Sequence, residues 1–180
     1  DVNSMPNCIK ADYMSDLLFH GLRSKFGANV IDLPKKSHLY KGYPNKEGLW
    51  GRGFTYTNIL DEIDVDRAVD SIKLKKHYDL IVLSVHHTIH KDHNVLYKVL
   101  EKLKGYTKSK IVVVDGHDLT DTYDLALEYT PYLFKREIVD RDDLIPIHFA
   151  IPKEKVISKV MPKTNYIAGI IPADTNSPNR

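Results

Sequence analysis

Apolar residues recur along the first part of the chain at spacings of three and four: Met14, Leu17, Leu18, Leu22 and Phe26. That spacing predicts a helix over Asp12 to Phe26. Asp12 suits its N-cap, Asp16 its first turn, and Gly27 its stop. Val30 to Leu33 reads as a short strand ended by Pro34. Residues 34–64 then break the rhythm as a loop insertion, with a short helix expected from Thr57 to Glu62. Glycines stand there at 42, 48, 51 and 53, interleaved with Tyr40, Tyr43, Trp50, Phe54 and Tyr56. A loop this long and this aromatic reads as functional rather than disordered.

From Val65 the alternation is regular. A helix is predicted from Val65 to Lys76, a strand from Tyr78 to Val85, and a helix from His93 to Lys104 closed by Gly105. A strand from Lys110 to Val114, a helix from Thr120 to Tyr129 and a strand from Tyr132 to Glu137 follow. Strands apolar on both faces, separated by helices, imply an α/β fold: a Rossmann-like, doubly wound parallel sheet with helices on both faces. Beyond Ile145 the prolines at 146, 152, 162, 172 and 178 change the character of the chain. Leu144 to Ile151 and Tyr166 to Ile171 read as short edge strands, and residues 173–180 as a linker-like tail. A doubly wound domain normally opens on a strand, whereas this chain enters a helix after a polar lead. One expectation is therefore a single lobe, residues 1–180, that forms half of a two-lobed protein. The other is a complete small domain.

Composition narrows the function. The 26 Lys+Arg against 24 Asp+Glu leave a net charge of +2, no footprint for a nucleic acid or an anionic membrane. No apolar run reaches the roughly 20 residues of a transmembrane helix. The single cysteine, Cys8, allows no internal disulfide and points to a reducing, cytoplasmic setting. P-loop, dinucleotide-fingerprint and nucleophile-elbow motifs are missing, and Gly51-Arg52-Gly53 follows no strong strand.

Ligands of open parallel sheets bind outside the carboxyl ends of the strands. One strand runs into His86-His87 and the next into Asp115-Gly116-His117-Asp118. The third ends in Lys135-Arg136-Glu137. Asp115 beside His117 can orient and tune a general base, and Gly116 permits close approach. Asp118 serves equally as a helix cap. Arg136 can hold an anion or simply pair with surface carboxylates. His86 and His87 are candidate ligand contacts. His90 and His93 add imidazoles, but their spacing matches no standard zinc pattern, so no metal is expected. Trp50, Arg52, Gly53 and Tyr56 offer flat faces and polar edges suited to a sugar or a base.

Several segments together resemble a known family. Asp12-Tyr13-Met14-Ser15-Asp16-Leu17-Leu18-Phe19-His20-Gly21-Leu22 is similar to the opening helix of glycosyltransferase-like proteins. These are related to the spore-maturation glycosyltransferases and have the two-lobed GT-B fold. Leu49 to Thr55 resembles their loop motif, and Tyr78 to Val82 their next strand. Tyr132 to Glu137 and Ile145 to Pro152 resemble the end of their amino-terminal lobe. The likeness spans residues 7 to 152. It implies the acceptor-side lobe of an enzyme that moves a sugar from a nucleotide-sugar co-substrate to a glycan or other hydroxyl acceptor. It implies a second lobe in the same polypeptide and no cofactor or metal. Asp12 is the nearest positional match to the family's base, with Asp115 and His117 as rivals. The alternatives are a flavodoxin-like binding or regulatory module, and a metal-dependent hydrolase using His86, His90, His93 and Asp115.

Overall fold

The apolar runs after residue 78 pair with one another. A computed structural model describes residues 12–44, 49, 56–65, 67, 78–85, 93–137 and 140–156. In it Ile81–Val85 (β1), Ile111–Asp115 (β2), Leu133–Lys135 (β3) and Ile145–Pro146 (β4) form one sheet in that order, every neighbouring pair parallel. The protein is therefore of the α/β class.

The two-residue alternation of strands puts Ile81, Leu83 and Val85 on one face with Ile111, Val113 and Leu133. The helix His93–Lys102 (α2) covers that face. Its Leu96 and Leu100 join Leu103, Tyr123, Ala126 and Leu144 in one core with the strand residues. Gly105 ends this connection with φ 120°, a conformation that favours glycine.

The amino-terminal helix, Tyr13–Phe26 (α1), forms as its periodicity predicts. Asp12 caps it by accepting from Met14 N, and Gly27 follows with φ 60° and donates to Arg23 O. The segment after α1 builds a second core. Leu39, Tyr40 and Leu60 pack on Phe19 of α1, with Val30, Tyr56 and Ile59 around them. Leu39 O accepts from both Ile59 N and Leu60 N at 2.9 Å, so the returning chain is stitched to the outgoing one. Asp32 ties this unit together. Its carboxylate accepts from Lys36 N (2.7 Å), Tyr40 OH (2.8 Å) and Arg67 Nε (3.0 Å).

Three elements differ from the sequence pattern. Residues 30–33 form no strand, because Asp32 turns the chain back onto Lys36 N. Residues 57–62 form no helix. Asn58 takes φ 57° and its side-chain carbonyl accepts from Tyr43 N, a local bond that competes with helix formation. Residues 120–129 coil only as a 3-10 turn over Asp124–Glu128. Thr122 and Arg141 both donate to the Asp124 carboxylate and draw the start of that segment towards the β3–β4 connection. The expected strand at 166–171 and most of the expected helix at 65–76 lie outside the described residues.

Burial and the bond to Asp32 push the Tyr40 phenol up from 10.0 to about 12. The unfolded chain therefore loses this proton first as pH rises, and stability falls between about pH 10 and 12. Urea midpoints measured across that range should drop for the native chain and drop less steeply for Tyr40→Phe. The remaining slope includes Tyr123, also raised by burial and by nearby Asp115.

Candidate functional site

The last row of the α2-covered face is polar in β2 and β3. Register sets Val85 beside Asp115 and Asp115 beside Lys135 at the carboxyl ends of three strands. Lys135 Nζ donates to Asp115 Oδ2 at 2.8 Å, and neither side chain is more than 2% exposed. Asp115 Oδ1 accepts from His117 N at 2.9 Å, which fixes the turn after β2, and Lys135 Nζ reaches His117 O at 3.3 Å. His117 Nδ1 in turn accepts from Leu119 N at 3.2 Å. Asp115 is thus neutralised and enclosed. It organises the turn from a fully buried position.

Gly116 marks where the two cores meet. A Cβ built there would lie 2.9 Å from Met14 Cβ, closer than any real contact. Only the missing side chain lets the first turn of α1 rest on the loop that carries Asp115 and His117.

That first turn carries Asp12. Oδ1 accepts from Met14 N at 3.2 Å, while Oδ2 is buried without a hydrogen-bond partner among the described residues. Burial is the main cause that raises the Asp12 pKa. Lys36 opposes it, and the Asp16 charge adds to it. One turn on, Asp16 is fully buried and accepts from Lys36 Nζ (2.8 Å) on one oxygen and meets His38 Nε2 (2.7 Å) on the other.

Arg136 reaches both Asp118 and Glu137 through Nη2, and its guanidinium stacks 4.8 Å from the Phe149 ring centre. Two carboxylates already occupy it, which makes it a weak clamp for a further anion. Tyr56 stands edge-on to Tyr13 of α1 at 5.3 Å. His20 of α1 meets Glu154 at 2.7 Å, which ties the last described segment to the same helix. Trp50, Arg52, Gly53, His86 and His87 lie outside the described residues, as does His90.

Of the sequence candidates, Asp115 and His117 share one turn, and Asp12 approaches it through Met14 and Gly116. Lys36 and His38 were not singled out by sequence; Asp16 was read only as a first-turn helix residue and Lys135 only as part of the Lys135-Arg136-Glu137 strand end. Asp12 and Asp16 are four apart, a same-face spacing that could have flagged the pair. The Asp115–Lys135 contact is visible only once strand register is known.

Among the described residues, no group of three or more His, Cys, Asp or Glu side chains is placed to hold a metal ion. No helix among them is long and apolar enough to cross a membrane. Comparison with protein-family models, curated proteins and solved structures finds no match.

Lys135→Met strands the Asp115 charge in the interior and should cost about 3–5 kcal/mol of stability. Lys135→Met with Asp115→Asn removes the charge, keeps an acceptor for His117 N, and should recover most of that loss in urea unfolding. A single variant as stable as the native chain would show the pair to be solvated.

Proposed function

We propose that this chain is the acceptor-side lobe of a glycosyltransferase that uses a nucleotide-sugar, with Asp12 as the general base. The observation that carries the reading is the Asp12 carboxyl group. One oxygen caps α1, the other is buried and unpaired, and burial raises its proton affinity. A base held nearer the working pH than an ordinary carboxylate transfers protons more effectively.

Asp12 takes the proton of the acceptor hydroxyl as that oxygen attacks the anomeric carbon of the donor. The new carbon–oxygen bond forms as the bond to the nucleotide diphosphate breaks, and the diphosphate leaves with the electron pair. Asp115 and Lys135 act at one remove by fixing the turn that carries His117. His117, Tyr56 and Arg136 border the acceptor, and Trp50, Arg52, Gly53, His86 and His87 complete the substrate contacts. The donor is held chiefly by a second lobe of the same polypeptide.

A parallel sheet whose polar groups gather at its carboxyl edge supports this placement. So does Val114, which points to the face opposite α2 and is only 2% exposed. That burial favours helices on both faces, the doubly wound arrangement that the family resemblance implies.

The test is a screen of nucleotide-sugars and hydroxyl acceptors with the full-length gene product. Asp12→Asn should lower kcat by about 10²–10⁴-fold while changing KM little. Because the base must be ionised, kcat should rise with pH through a midpoint above the usual aspartate value of 3.8. Full activity in Asp12→Asn would overturn the assignment.

A further inference from the structure

The Asp12 reading leaves a second buried group unused, the imidazole of His38. This residue is 1% exposed and lies on a 3-10 turn, Ser37–Leu39, near the start of the loop insertion. Its Nε2 meets Asp16 Oδ2 at 2.7 Å. Its Nδ1 is buried and has no hydrogen-bond partner among the described residues. An unpaired buried polar atom costs about 1–3 kcal/mol, a cost that a hydrogen-bond donor reaching it would offset.

The chemistry of that partner follows from the other side of the ring. A carboxylate can only accept, so the Asp16 contact places the proton on Nε2 and leaves Nδ1 as a bare acceptor. Lys36 Nζ holds the second Asp16 oxygen at 2.8 Å, which fixes the orientation of the carboxylate. Nδ1 therefore selects a hydrogen-bond donor and repels a carboxylate or phosphate. The partly buried Tyr43 ring stands edge-on to the imidazole, 6.5 Å between centres and at 78°. Asp12 feels the charges of both Lys36 and Asp16, the ion pair that holds the imidazole.

We propose that His38 Nδ1 is a hydroxyl-binding acceptor, held by Asp16 behind the ring, and that it takes a hydroxyl of a neutral saccharide. Its substrate-binding role rests on the transferase reading only for the choice of saccharide. The Asp16–His38 pair is a positioning device: it fixes a second point on the acceptor sugar while another hydroxyl faces Asp12.

The experiment is nitrogen-15 NMR of the histidine rings in the full chain. The probes are the methyl glycosides of glucose, galactose and mannose, with glucosamine as the amine arm. The free protein should show His38 as the Nε2–H tautomer with an unbonded Nδ1. Addition of a methyl glycoside should move the Nδ1 resonance upfield, the signature of accepting a hydrogen bond. H38Q retains a donor to Asp16 but has nothing at the Nδ1 position, and should lose up to about tenfold in saccharide affinity. H38N, which places its amide near the Nδ1 position, should bind more tightly than H38Q. A His38 Nδ1 resonance unmoved by every probe overturns the proposal, and the native chain alone decides this if H38Q fails to fold. A response to glucosamine alone replaces the hydroxyl by an amine and overturns it as stated. Loss of transfer in Asp12→Asn with an unmoved Nδ1 sinks this subsite and leaves the transferase reading standing. A shifted Nδ1 without transfer from any nucleotide-sugar does the reverse.

Discussion

Asp115 and Lys135 face each other across two parallel strands, and neither charge can stay buried without the other. Desolvating either alone costs several kcal/mol, so their pairing at 2.8 Å is a condition of the sheet closing at its carboxyl end. The same carboxylate that neutralises Lys135 also accepts from His117 N and so sets the next turn. That turn presents Gly116 to Met14, and the contact seats α1. A single ion pair thus fixes strand register, the turn after β2, and the position of the helix that carries Asp12 and Asp16.

The near-neutral composition conceals how the charges are spent. Asp16, Asp32 and Asp115 are all buried, and each is matched by a cation within 2.9 Å: Lys36, Arg67 and Lys135. A net charge of +2 therefore says nothing of the interior. Around Asp16 and Asp115 these pairs hold groups that border the proposed acceptor site, whereas Asp32 braces the second core through Tyr40.

Long, periodic segments were readable from the sequence. α1 and α2 follow their apolar stripes, β1 and β3 fall within their apolar runs, and β2 runs one residue past its own to Asp115, because burial of one face decides their form. The reading failed where one side chain overrides pattern. Asp32 turns a run of strand formers, Asn58 breaks a weak helix, and Asp124 is drawn towards Arg141. The site shows the same divide. Asp115-Gly116-His117 was visible as a polar turn after a strand. Lys135 as the partner of Asp115 was not, because strand register is a long-range property. His38 was hidden in a loop whose path no periodicity describes, and its meaning comes only from Asp16, twenty-two residues away in sequence.

The strand order carries a kinetic consequence. β1, β2, β3 and β4 pair with their immediate successors, so the sheet closes through a series of moderate loops. α1 joins it through Met14 at Gly116 and through His20 at Glu154, each across more than a hundred residues. Contacts so far apart in sequence form slowly, since their loop-closure entropy is lost before packing compensates it. The sheet can thus assemble first, with Asp12, Asp16 and His38 brought to its edge last. Local opening of α1 would then dismantle the proposed site while leaving the α2-covered core intact.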